Sequence, residues 1–83
     1  MTPLELITRE GRAHRTVVIR GYELDGSSET REIEPYSLRL KRRGWLLYFW
    51  CLKHHGLRCL YVQNIVGAQP TGRSFTPRRP VEL

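Results

Sequence analysis

Gly44-Trp45-Leu46-Leu47-Tyr48-Phe49-Trp50-Cys51-Leu52 is the stretch on which the fold turns. From Trp45 to Leu52 it is apolar on both faces, which predicts a central strand covered on both sides. Before it, Lys41-Arg42-Arg43-Gly44 reads as a basic turn; after it, His54-His55-Gly56 reads as a hairpin loop. Leu57 to Gln63 is then the next strand, with Leu60 and Val62 inward. Upstream, Thr30 to Leu40 reads as a strand bent or bulged at Pro35, because proline cannot donate into a ladder.

Toward the start, Thr2 is a good N-cap and Pro3 suits the first helical position. Glu5 completes a Thr-x-x-Glu capping box, so residues 1–11 open with a short helix. Leu4 and Ile7 share one face of it, and Gly11 can end it. His14 to Tyr22 alternates as a strand does, with Val17 and Ile19 on one side and Thr16, Val18 and Arg20 on the other. Asp25-Gly26-Ser27-Ser28 is a turn or loop. Toward the end, Ile65 to Ala68 supplies a last short strand. Pro70 to Leu83 lacks periodicity and reads as an extended tail that Phe75 pins to the body. One helix and five short strands predict a single mainly β domain over residues 1–83. Its body is a small five-stranded antiparallel barrel over residues 14–69, with the helix before it and the tail over residues 70–83 after it.

Charge is segregated along the chain. Residues 1–35 carry seven acidic and five basic side chains, a net of −2, and residues 36–83 carry nine basic and one acidic, a net of +8. No Asp or Glu occurs from Tyr36 to Val81, yet seven of the eight aromatic residues do. Twelve of the fourteen basic residues are Arg, which suits bidentate phosphate contacts and stacking on rings. Basic side chains neutralise phosphates and aromatic faces stack on bases, so the pattern points to a polyanion, most plausibly nucleic acid. The plainer reading is a small domain that uses Arg for solubility. No secretory signal is recognisable, and the longest apolar run is too short to span a bilayer. Cys51 and Cys59 are too few for a disulfide framework and fit a reducing cytoplasm.

Cys51, His54, His55 and Cys59 fall within nine residues and carry zinc-ligand chemistry, but only Cys51-x-x-His54 has a familiar spacing. Two strand cysteines and a polar loop tip explain them better, and no metal or other cofactor is expected. With a three-residue loop, Cys51 and Cys59 sit opposite each other and a disulfide can form on oxidation, though none is expected in the cell. For catalysis, a poised acid–base pair is needed. All carboxylates but Glu82 lie in the first 35 residues, with no triad spacing and no Walker-type loop. Cys51 with His54 as nucleophile and base is the weaker alternative to a satisfied strand cysteine, so the chain reads as a non-enzyme. Arg39, Arg42, Arg43, Arg58, Tyr48 and Tyr61 come from neighbouring strands and one turn, a natural face for a phosphodiester. The tyrosines are equally readable as amphipathic core residues. Arg58 is the stronger case, because it shares a face with Leu60 and Val62 and has no acid nearby in sequence.

Pro35-Tyr36-Ser37-Leu38, Gly44-Trp45-Leu46-Leu47, Gly56-Leu57-Arg58, Asn64-Ile65 and Phe75 occur in an order that resembles the WYL domain, named for a Trp-Tyr-Leu strand. No single motif is very specific, but their order and spacing cover nearly the whole chain. The resemblance implies an Sm-like five-stranded barrel that senses a ligand, thought to be nucleic acid or a nucleotide, in bacterial transcription factors and phage-defence accessory proteins. By position, Arg58 matches the family's first pocket arginine and Ser37 a polar position on the Pro-x-x-Leu strand. Two departures stand out. The middle Tyr of the name is Leu46, with Tyr48 one pleat further on the same face. The Asp-Arg-Ile corner is Gln63-Asn64-Ile65, so Asn64 replaces a pocket arginine, and Tyr61 stands where another arginine is expected. The resemblance therefore leaves a pocket that is weaker, differently selective or vestigial.

The leading expectation is a cytoplasmic regulatory module that binds single-stranded nucleic acid or a nucleotide through Ser37, Arg39, Arg42, Arg43, Tyr48, Arg58, Tyr61 and Asn64. The alternative is a protein–protein interaction or dimerisation module with no nucleic-acid ligand, supported by the two-faced strand from Trp45 to Leu52. WYL regulators usually carry a helix-turn-helix ahead of this domain, and these 83 residues hold none. The module is then expected to act through self-association or a partner, or to be part of a larger regulatory or defence protein.

Overall fold

The helix begins at its capping box. Thr2 Oγ1 accepts from the Glu5 N–H, and the Glu5 carboxylate accepts from the Thr2 N–H, each at 3.1 Å. Helix α1 spans Pro3–Arg12 and is capped at Ala13, so Gly11 does not end it. Gly11 is instead a point of close approach: a Cβ there would overlap Leu83 and touch the Pro35 ring. His14, at φ 57°, turns the chain into the first strand.

This is a computed structural model, and it describes residues 1–22 and 25–83. Strands β1 (Arg15–Tyr22), β2 (Ser28–Lys41), β3 (Gly44–Cys51), β4 (Gly56–Tyr61) and β5 (Ile65–Ser74) follow the helix. They form one antiparallel sheet in the order β4-β3-β2-β1-β5. The bend expected at Pro35 is a register shift between Pro35 and Ser37 against β3. Val62–Asn64 is a short 3-10 turn, so β4 stops at Tyr61 and does not reach Gln63.

β5 extends further than periodicity suggested. It runs to Ser74 and sets Pro70 opposite Val17 of β1. The tail predicted from Pro70 therefore begins at Phe75. The physical reason is that β5 is an edge strand, where a proline need not donate into a second neighbour.

β4 and β5 are the two edges, and among the described residues no ladder joins them. The five-stranded antiparallel sheet and the short helix are as expected, and the barrel-like sheet is not closed by hydrogen bonds between its edges. It is curled all the same. Ile7, Val17, Ile19, Ile33, Leu47, Phe49, Leu60 and Ile65, from the helix and all five strands, form one buried cluster. A flat sheet cannot bring both of its edges to one core. Among the described residues, no helix is long and apolar enough to cross a membrane.

β3 also departs from expectation. Leu47, Phe49 and Cys51 point into the core, but Leu46, Tyr48 and Trp50 on the other face are only half-buried. Trp45 shares the inward side with Leu47, yet it lies opposite exposed Leu40 and is itself 47% exposed. Cover on the outer face comes partly from residues 75–83.

Candidate ligand-binding site

Residues 75–83 form a strap across the outer face of β2 and β3. The Phe75 N–H donates to the His14 carbonyl at 2.8 Å, and the Phe75 ring packs edge-on against Tyr36. Pinning by Phe75 is therefore as expected, although the strap starts later. The Glu82 N–H donates to the Tyr36 carbonyl at 2.7 Å, and Arg12 Nε donates to the Leu83 carbonyl at 2.8 Å. Between these ends, Arg78 Nε donates to buried Glu34 at 3.0 Å, and its guanidinium lies 4.3 Å from the centre of the Trp50 ring. Tyr36 is almost fully buried beneath the strap. Its hydroxyl donates to Glu34 at 2.7 Å and accepts from the Arg78 N–H at 2.9 Å. Burial, with the Glu34 hydrogen bond adding to it, pushes the Tyr36 phenol above its ordinary range.

Beside the strap is a cavity of about 380 Å³, lined by Tyr36, Ser37, Arg39, Lys41, Tyr48, Leu57, Arg58, Cys59 and Arg79. Strand register explains the convergence. Ser37 pairs with Tyr48 and Tyr48 with Cys59, so these side chains share the outer face of three adjacent strands. Arg39 and Lys41 follow Ser37 at two-residue steps and keep that face. Arg58 pairs with Phe49 and so has the inward parity. It is nevertheless exposed, because β4 is an edge, and its Nη1 donates to the Leu57 carbonyl at 3.0 Å. Arg58, expected on the same face as Leu60 and Val62, thus turns outward at the rim of the cavity.

Among the described residues, no carboxylate lines this cavity. Within the same set, Lys41, Arg58 and Arg79 have no carboxylate partner, and Arg39 has only a 3.7 Å contact with exposed Glu82. Four cations therefore surround a recess with half-buried Tyr48 in its wall, an arrangement that favours an anion.

Of the residues singled out in the sequence, Ser37, Arg39, Tyr48 and Arg58 line the cavity. Arg42 and Arg43 are exposed on the β2–β3 turn and do not. Tyr61 is half-buried opposite Leu46, and Asn64 sits in the 3-10 turn with its carbonyl beside Gly21; neither reaches the cavity. Tyr36, Lys41, Leu57, Cys59 and Arg79 line it without having been anticipated. Lys41 was legible as the start of the basic turn. Arg79 was not, because its place depends on the strap folding back.

The hairpin pairs Cys51 with Gly56 and Cys59 with Tyr48. Cys51 is buried and Cys59 is exposed on the opposite face, so the two thiols do not face each other as a three-residue loop would require. Among the described residues, no group of three or more His, Cys, Asp or Glu side chains is arranged to hold a metal ion.

A curled five-stranded sheet carrying a cationic, tyrosine-walled cavity beside a strap defines a small ligand-binding domain. The family model of the WYL domain matches residues 2–70, and the chain belongs to that family of regulatory, ligand-sensing modules. Among solved structures, it is similar to the proteasome accessory factor B/C (PafBC) of Arthrobacter aurescens. The TM-score is 0.79 at 20% sequence identity, over 95% of this chain and 13% of that one. No curated protein matches it.

Proposed function

We propose that this domain binds single-stranded nucleic acid or a nucleotide, with phosphate held in the cavity by Arg39, Lys41, Arg58 and Arg79. One observation carries the reading: four cations converge on one recess that, among the described residues, no carboxylate lines. Tyr48 in the same wall supplies ring surface, and Ser37 supplies a hydroxyl donor. Arg42 and Arg43, outside the cavity, add attraction along the approach. The domain binds and does not catalyse. The small share of PafBC that it matches supports a role as the sensing part of a larger regulatory or defence protein or complex.

The test is a fluorescence titration with short single-stranded DNA, single-stranded RNA and duplex at two salt concentrations. Binding that weakens steeply with salt and prefers single strands supports the proposal. No binding at low salt overturns it.

A second reading has its own observation. Leu40 and Trp45 face each other across the β2–β3 hairpin, 67% and 47% exposed. Such a pair suits self-association or docking on a partner protein. A strict monomer by sedimentation at high micromolar concentration, with Trp45 fully accessible to quencher, counts against self-association.

A further inference from the structure

A second cavity, of about 240 Å³, adjoins the cationic one. It is lined by Tyr36, Trp50, Leu57, Arg78 and Arg79. Tyr36, Leu57 and Arg79 line both cavities, so a ligand seated in the first has a direct neighbour in the second. The two differ in chemistry. Around the second, Arg78 is already paired with buried Glu34 and stacked over Trp50, so its charge is spent within the protein. What the cavity offers is mostly flat or apolar surface: an indole, a leucine side chain and a guanidinium plane held in a fixed orientation, over the buried Tyr36. Arg79, next in sequence, has no carboxylate partner among the described residues and stands at the shared wall.

We infer that the second cavity is a nucleobase subsite. The base of a nucleotide stacks among Trp50, Leu57 and the Arg78 guanidinium while its phosphate lies with Arg39, Lys41, Arg58 and Arg79. Division of labour between Arg78 and Arg79 is what supports this assignment: one arginine is neutralised and held flat, and its neighbour keeps its charge toward the phosphate side. Leu57 is 43% exposed at the edge strand, so a base has an open route to the shared wall. The strap contributes one side of the subsite, and the occupied site therefore holds residues 75–83 in place. The inference rests on the phosphate-binding reading of the first cavity and adds to it a preference for ligands that carry a base.

The test compares two probes of equal length and charge: a short single-stranded oligodeoxyadenylate and the same sugar–phosphate chain with abasic sugars. Base–aromatic stacking predicts that the parent binds the base-bearing probe about tenfold more tightly. Trp50→Leu should erase that advantage. Leu57→Ser, at an exposed position, should shrink the advantage and serves where Trp50→Leu fails to fold. In a Trp45→Phe background, the base-bearing probe alone should change Trp50 fluorescence. Equal affinity for the two probes overturns the base subsite while leaving the phosphate reading intact. So does an advantage that survives Leu57→Ser undiminished. Binding of neither probe at low salt overturns both readings together.

Discussion

Arginine does two different jobs in this domain, around Glu10 and around the outer cavity. Glu10 is 3% exposed, and its carboxylate accepts from Arg15 Nε at 3.0 Å, Arg15 Nη2 at 3.1 Å and Arg9 Nε at 3.0 Å. These bonds tie the end of α1 to the start of β1. At the cavity, Arg39, Lys41, Arg58 and Arg79 gather where, among the described residues, no carboxylate lines the wall and the one acid in reach is exposed Glu82, 3.7 Å from Arg39. Residue type is nearly the same in the two places, and a buried carboxylate closed upon at 3.0 Å separates them. Cations closed on a buried carboxylate hold the fold together. Cations gathered without one repel each other, and a bound anion relieves that repulsion. The same distinction operates between adjacent residues, since Arg78 is paired with Glu34 and Arg79 has no carboxylate partner among the described residues.

The sharpest way to break the contrast is to put an acid into the cavity. Leu57→Glu places a carboxylate beside Arg58 and Arg79 at an exposed site. Stability should change by less than about 1 kcal/mol, the ordinary worth of an exposed ion pair. Juxtaposing like charges costs several kcal/mol in recognition, so oligonucleotide affinity should fall by about a hundredfold or more. Undiminished binding in this variant would remove the cavity from the proposal.

Arg58→Ala is the next test. If the proposed site is right, it removes one charge-assisted hydrogen bond to the ligand, worth about 1.5–3 kcal/mol, or one to two decades in affinity. Because Arg58 is exposed and, among the described residues, bonded only to the neighbouring Leu57 carbonyl, the melting temperature should hold steady. Titration and thermal unfolding on the same samples separate the two effects. A folded variant that binds as the parent does rules out Arg58 as a ligand-binding residue.

Local features were readable in the chain, and long-range ones were not. The capping box at Thr2 and Glu5, the bulge at Pro35 and the basic turn before Gly44 each depend on residues within a few positions of one another. Period-two register likewise brought Ser37, Arg39 and Tyr48 onto one face, and the edge position of β4 added Arg58. β5 beyond Ala68 was hidden because its pairing with β1 spans about fifty residues, and Pro70 and Gly72 resemble chain breakers. Arg79 was hidden for the same reason, since the strap's anchors at His14, Glu34 and Tyr36 are far off in sequence. Tyr61 and Asn64 were drawn in by strand and family position, and the 3-10 turn after β4 carries the chain away from the cavity.

Acid should act on the structural cluster. The Arg15 hydrogen bond holds the Glu10 carboxyl below its ordinary value of 4.5, against burial that would raise it. The Arg73 hydrogen bond does the same for Glu32, again against burial. A depressed folded value means that the unfolded chain takes up protons first. The stabilisation is complete above about pH 4.5 and is lost as pH falls through the lower folded values. Glu10→Gln should cost about 1–2 kcal/mol at neutral pH, the low end because both arginines are substantially exposed and solvent recovers part of the loss. The same variant should flatten the acid limb of a urea-denaturation series. An acid limb as steep as the parent's would mean that Glu10 does not carry the effect.

The smallest effect is expected where cations lie outside both settings. Arg42 and Arg43 sit on the β2–β3 turn, exposed, without a carboxylate partner among the described residues and away from the cavity lining. With no carboxylate to close on and no recess to enclose a ligand, they can contribute only a general field toward phosphates. Replacing both with Ala should lower affinity a few-fold and by the same factor for every oligonucleotide sequence. The slope of log affinity against log salt should drop by up to about two, one for each phosphate that is no longer neutralised. Arg58→Ala, by contrast, should change affinity far more for about half the drop in slope. The ratio of the affinity change to the slope change thus distinguishes a cation built into the site from one that only attracts. If the turn variant weakens binding as much as Arg58→Ala does, the binding surface extends over the hairpin and the cavity is only one part of it.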